Sequence, residues 1–248
     1  MIKRLLAGVA LAGAASLAAL GVAGPASAYT TGPTGGGNTS CHPAADGDGF
    51  CTLNLPNIPS TGSYYAAIFV SSDAPFDSAE VIHVQEGESF WTEAASDSFE
   101  SPDTVRGYSG IFTRGPLAPG VHSVEVSQVS AVNQFLAVAY VFTNSSGFEN
   151  ATAGHTDTTN PSISLTNSQA NEWDWCVAHD WTASRTVSTG TSGYADFQHL
   201  NDATNGDTMA VYQGSSYTSG SGTSSCGVGT ASWSGDDDTI AGIVVKGV

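Results

Sequence analysis

Positive charge is scarce in this sequence: six Lys and Arg stand against 23 Asp and Glu, for a formal charge of −17 over 248 residues. Affinity for phosphate backbones and anionic lipids comes from Lys and Arg, so neither nucleic acid nor an anionic membrane is an expected partner. Long apolar runs are nearly missing as well. The one long run, Leu5–Ala23, follows Lys3 and Arg4 and leads to Ala26-Ser27-Ala28, the small-x-small pattern of a signal-peptidase site. Residues 1–28 are therefore expected to be a secretory signal peptide, with a mature, secreted, extracellular chain beginning at Tyr29. Loss of Lys3 and Arg4 would leave Arg106, Arg114, Arg185 and Lys246 as the only cations and take the formal charge from −17 to −19. No second run is long enough to span a bilayer. Cysteine is limited to four residues, an even number that in an exported chain reads as two disulfides, expected as Cys41–Cys51 and Cys176–Cys226. Neither a C-x-x-C pair nor zinc-like spacing occurs.

Helical periodicity is absent from the mature chain. What is present is a succession of short Val-, Ile-, Phe-, Tyr- and Thr-rich runs, separated by Gly, Ser, Asn, Asp and Pro clusters. Strands are expected at Tyr64–Ser71, Ala79–Gln85, Ser89–Thr92, Ser109–Arg114, His122–Val129, Gln134–Thr143 and Ser162–Thr166. More follow at Asp174–Ala183, Arg185–Ser188, Ala195–Leu200, Thr208–Gln213, Gly229–Ser234 and Thr239–Lys246. Phe135–Phe142 is apolar at every position, as is Gly242–Val245, which marks strands covered on both faces. The expected fold is all-β: a flexible leader over 29–40, then one antiparallel β-sandwich over 41–248, jelly-roll-like, with a crossover within 144–162.

Tyr65–Val70, Glu86-Gly87-Glu88-Ser89-Phe90, Ile111-Phe112-Thr113, Leu117–Val126, Val138–Phe142, Ile163-Ser164-Leu165, Ala231-Ser232-Trp233 and Ile240–Ile243 occur in that order. This succession resembles a functionally uncharacterised β-sandwich module of bacterial secreted and phage-associated proteins. The resemblance covers most of Tyr64–Val248 and implies a fold; it brings no catalytic residue with it.

Catalytic signatures are lacking. Gly107-Tyr108-Ser109-Gly110 and Gly190-Thr191-Ser192-Gly193 miss the last glycine of G-x-S-x-G and have no helix to follow, so they read as turns. A lyase needs a cation to neutralise its uronate, and four basic residues make poor ground for one. Glycoside hydrolysis needs two carboxylates about 5–10 Å apart; Glu80, Glu86, Glu88, Glu93, Glu125 and Glu172 are the candidates. The most distinctive stretch is Trp173–Trp181, where strand alternation puts Trp173, Trp175, Val177, His179 and Trp181 on one face. Two readings are open for that face, a platform on which sugar rings stack or packed core, and exposure decides between them. Trp175, His179 and Trp181 are the expected ligand contacts under the first reading. Asp46-Gly47-Asp48-Gly49 and Asp236-Asp237-Asp238 are acidic loops that could each supply part of a calcium shell. Calcium is the only cofactor considered.

The reading is thus a secreted, non-enzymatic binding or surface-structural protein, engaging an extracellular glycan or a surface protein. Its rivals are a glycan-cleaving enzyme built on paired carboxylates and a subunit of an extracellular filament or virion.

Overall fold

The computed structural model describes residues 29–30, 40–41, 49–72, 82–101, 104–128, 135–156, 161–169, 172–180, 194–202, 207–214, 222–227 and 238–248. These residues form β1 (Tyr29–Thr30), β2 (Ser40–Cys41), β3 (Phe50–Asn54), β4 (Tyr64–Ser72), β5 (Ile82–Glu86) and β6 (Ser89–Phe90). Next come β7 (Thr92–Ser101), β8 (Thr104–Arg114), β9 (Ser123–Gln128), β10 (Phe135–Thr143), β11 (Ser145–Thr156) and β12 (Ser162–Asn167). The last are β13 (Trp173–Asp180), β14 (Tyr194–Asp202), β15 (Asp207–Gly214), β16 (Gly222–Gly227) and β17 (Asp238–Gly247). No helix occurs among the described residues, and every strand pairing is antiparallel. The all-β expectation holds.

The strands make four sheets, and period-two side-chain alternation stacks them. Sheet 1 has the order β3-β9-β5-β6, sheet 2 β1-β10-β4-β8-β7 with β2 also on β10, sheet 3 β11-β17-β13-β15-β14, and sheet 4 β12-β16. Strand β10 shows how the stack is built. Its residues Phe135, Ala137, Ala139 and Val141 pack with Leu53, Val84, Val124 and Val126 of sheet 1, whereas Leu136, Val138, Tyr140 and Phe142 pack with Trp175, Val177, Ile243 and Val245 of sheet 3. Strand β17 alternates likewise, sending Ala241, Ile243 and Val245 towards sheet 2 and Ile240 and Val244 towards Ile163 and Leu165 of sheet 4. Continuous apolarity in both strands thus reflects burial on two sides. Each large side chain sealed in these layers contributes about 1.5–3 kcal/mol. The described residues therefore form a stack of four antiparallel sheets with three apolar layers between them.

Four strands of five or more residues are not anticipated by the sequence: β3, β7, β11 and β16, with only Thr92 of β7 falling in an expected strand. Strand β11 lies in the stretch expected to be a crossover. The chain passes from sheet 2 to sheet 3 at Asn144, whose φ of 53° turns it sharply between β10 and β11; Asn tolerates that left-handed conformation better than most residues. The rest of the stretch up to Thr156 is strand, polar because only part of it faces a neighbour and bulged between Glu149 and Thr152. Strand β16, Gly-Thr-Ser-Ser-Cys-Gly, has almost no apolar pattern of its own and is held by its full register on β12. Tyr29–Thr30 and Ser40–Cys41, at the two ends of the expected leader, pair with Phe142–Thr143 and Ala137–Val138 of β10. The expected strands Arg185–Ser188 and Gly229–Ser234 lie outside the described residues.

A two-stranded sheet such as sheet 4 is marginal alone. It is fastened in two ways. Ile163 and Leu165 fill the space beside Gly242, where any Cβ would meet both side chains. The Cys176–Cys226 disulfide, with its Cα atoms 6.6 Å apart, bolts β16 to β13 across 50 residues of sequence, a link worth about 2–4 kcal/mol.

Candidate functional site

Trp175 has no exposed surface. Its indole sits within ring-centroid distances of 4.9 Å from Tyr140, 5.3 Å from Phe142 and 5.9 Å from Phe69, between sheets 2 and 3. His179, on the same face of β13, is also buried. That face is core at both positions and offers no sugar platform there, because the second sheet covers it; Trp181 lies outside the described residues. Asp238 is buried, while Asp46, Asp48, Asp236 and Asp237 fall outside the described residues. Among the described residues no group of three or more His, Cys, Asp or Glu is placed to hold a metal ion.

Of the carboxylate candidates, Glu80 is outside the described residues, Glu88 and Glu93 are exposed, and Glu125 accepts a hydrogen bond from Gln85 at 3.1 Å. Glu172 meets a carboxyl group not singled out from sequence, that of Glu149 on β11. Burial pushes the Glu172 carboxyl above its ordinary value, and the charge of Glu149 adds to this, although the backbone N–H groups of Gln169 and Ser168 donate to it at 3.2 and 2.7 Å. Burial also raises Glu149, but hydrogen bonds with Ser168 and Glu172 and the Lys246 ammonium 3.5 Å away outweigh it, so its net shift is downward. Of the two carboxyls, Glu172 is thus the one shifted towards its protonated form and Glu149 the one shifted towards its charged form. Glu172 has no exposed surface and the pair is a structural latch between sheet 3 and the end of β12.

The open, aromatic-lined feature lies elsewhere, where sheets 1, 2 and 3 meet at one end of the stack. A cleft of about 290 Å³ is lined by Tyr65, Phe90, Trp91, Thr92, Thr113, Arg114, Gly115, Gly147 and Phe148. Each residue arrives by a simple local rule. Gly87, with φ of 60°, closes the two-residue β5–β6 turn, in which Glu86 pairs with Ser89 and Gln85 with Phe90. The turn leaves Phe90 at 64% exposure, its ring edge-on to His83 at 5.5 Å. Trp91 follows and turns into the sheet 1 core, with no hydrogen-bond partner for its indole N–H. Tyr65 stands at the start of β4 beside Arg114, the last residue of β8, in the register Ala66 to Arg114. The Tyr65 ring rests on the backbone of Gly115, where any Cβ would strike it. Gly147, at φ of 130°, also approaches the Tyr65 ring and delivers Phe148 edge-on to both Tyr65 and Phe142.

Arg114 is one of two cations whose side chains are described, the other being Lys246. Its Nη1 lies 3.4 Å from Oε2 of Glu86 and 3.5 Å from the Ser89 carbonyl. The other Glu86 oxygen is 2.8 Å from Nδ1 of His122, whose Nε2 is 2.8 Å from the carbonyl of Ala118. The carboxylate of Glu86 thus pairs with the guanidinium and is itself held by a buried imidazole. The described residues that line the cleft are aromatic residues, two threonines, two glycines and Arg114, and none of them carries a carboxylate.

Sequence reasoning missed this cleft because its parts come from four separate segments. The signal that existed was Phe90, a large apolar residue directly after a polar two-residue turn. Comparison with known protein families, with characterised proteins and with solved structures finds no match to this chain.

Proposed function

We propose that this is a secreted, non-enzymatic binding protein whose aromatic cleft at the end of the stack takes a saccharide. The observation that carries the reading is the cluster of Tyr65, Phe90 and Phe148 around one concave site, with Phe90 left 64% exposed. An exposed apolar surface next to a concavity marks an interaction site, and the C–H face of a pyranose stacks on such rings. A glycan-cleaving rival would need two carboxylates facing the ligand, and the lining supplies none. The platform thus moves from the β13 face to the sheet junction, while the ligand class stays the one the sequence suggested.

A glycan-array screen of the mature protein tests the reading, followed by titration of any hit against the Phe90→Ala variant. Binding in the wild type, and at least a tenfold loss in the variant with an unchanged melting temperature, is the expected result. An array without hits would sink it. We also infer that Cys41 on β2 and Cys51 on β3 form a second disulfide, joining the strand on β10 to the edge of sheet 1.

A further inference from the structure

Resting on the saccharide reading of the cleft, we infer that its ligand is an acidic sugar, a uronic-acid residue whose carboxylate is received by Arg114. Three observations converge. The first is the charge of the lining: Arg114 is its one charged residue, beside the hydroxyl-bearing Tyr65, Thr92 and Thr113, and none of the lining residues carries a carboxylate or a side-chain amide. Hydroxyls and backbone groups can serve a neutral sugar as donors or acceptors, but a guanidinium in a lining without carboxylates is best met by an anionic group on the ligand.

The second is the state of Arg114. Its contacts run through Nη1 alone, to Glu86 and the Ser89 carbonyl, which leaves Nη2 and Nε without a partner among the described residues. A guanidinium held at one corner, with side-chain exposure of 33%, presents the rest of its planar fork to an incoming oxyanion. Paired N–H groups of this kind match a carboxylate in a two-point contact. Glu86 orients the fork and is fixed in turn by His122.

The third is charge and size. In a chain of formal charge −17, a cation at the rim of an aromatic cleft is conspicuous. Long-range repulsion of an anion by the other carboxylates is screened beyond about 8 Å at physiological ionic strength, so the local contact decides. A cleft of about 290 Å³ is at the small end of ligand pockets, which run from about 300 to 1,000 Å³. It suits a single ring, stacked on Phe90 and Tyr65 with its carboxylate on Arg114.

The test compares three ligands by calorimetry on the mature protein: a galacturonic-acid oligosaccharide, its neutral galactose counterpart and a galactose oligosaccharide carrying sulfate in place of the carboxylate. The uronate is expected to bind at least tenfold more tightly than the neutral sugar. Arg114→Ala should bring the uronate down to the neutral level, Arg114→Lys should keep part of the preference, and Phe90→Ala should weaken both ligands together. Equal affinity for uronate and neutral sugar, or a preference that survives Arg114→Ala, would overturn the inference while leaving the saccharide cleft standing. Tighter binding of the sulfated ligand would overturn the carboxylate assignment. Failure of all three ligands to bind would overturn the cleft reading itself.

Discussion

The rings of Tyr65 and Phe148 meet edge to face, with centroids 5.9 Å apart and planes at 85°. One stands at the start of a sheet 2 strand and the other near the start of a sheet 3 strand, so this contact closes the end of the stack and forms a wall of the cleft. Pairs of this geometry contribute about 0.5–1.5 kcal/mol beyond the area they bury.

Gly115→Ala tests that wall. A methyl group at position 115 would collide with the Tyr65 ring, and relief requires the ring to swing away from Phe148. Overpacking of this kind costs about 1–3 kcal/mol. The expected outcome is a folded protein with a modestly lowered urea midpoint and lost saccharide binding; binding equal to wild type would show that the Tyr65 position is unimportant.

Trp175→Ala is expected to act on stability and leave the ligand site untouched. The indole is fully buried against Phe69, Tyr140 and Phe142, and truncation of such a residue costs about 3–5 kcal/mol. Chemical denaturation measures the cost. A loss of less than about 1 kcal/mol would contradict the central place given to Trp175 in the layer between sheets 2 and 3.

The Glu149–Glu172 pair should leave a signature in the pH dependence of stability. Glu172 titrates above its ordinary 4.5 in the folded chain, so the native state binds more protons there than the unfolded state does. Its contribution is complete below 4.5 and is lost as pH rises through the folded value. Glu149 is shifted the other way, and its window lies below 4.5. Glu172→Gln keeps an oxygen to accept from Ser168 and Gln169 and gains an N–H to donate to Glu149, imitating the protonated acid. The melting temperature of the wild type relative to the variant should therefore fall as pH rises above 4.5. Parallel curves for the two proteins would refute the upward shift of Glu172.

Peptide mapping of unreduced protein is expected to recover Cys176 joined to Cys226 and Cys41 joined to Cys51. Replacing Cys176 and Cys226 together by Ala should lower stability by about 2–4 kcal/mol. The added consequence is local: the two-stranded β12–β16 sheet, which this disulfide ties to β13, should lose amide-exchange protection first.

Two kinds of information separate cleanly in this protein. The order of residues along the chain determined the all-β class and the doubly covered strands β10 and β17, because each depends on local alternation and composition; an even cysteine count pointed to disulfides, but of three possible pairings the joining of Cys176 to Cys226 is decided by the structure. It also located Trp175 and His179 on one face of β13. What covers that face was decided by the tertiary structure, since sheet 2 supplies Phe69, Tyr140 and Phe142 from more than thirty residues away in sequence. Strands β11 and β16 were hidden for a related reason: their polar sequences carry no apolar period, and neighbours in the sheet hold them in place. The cleft belongs wholly to the tertiary level. Phe90, Tyr65, Arg114 and Phe148 are unremarkable one at a time, and only the meeting of three sheets at one end of the stack gives them a common surface.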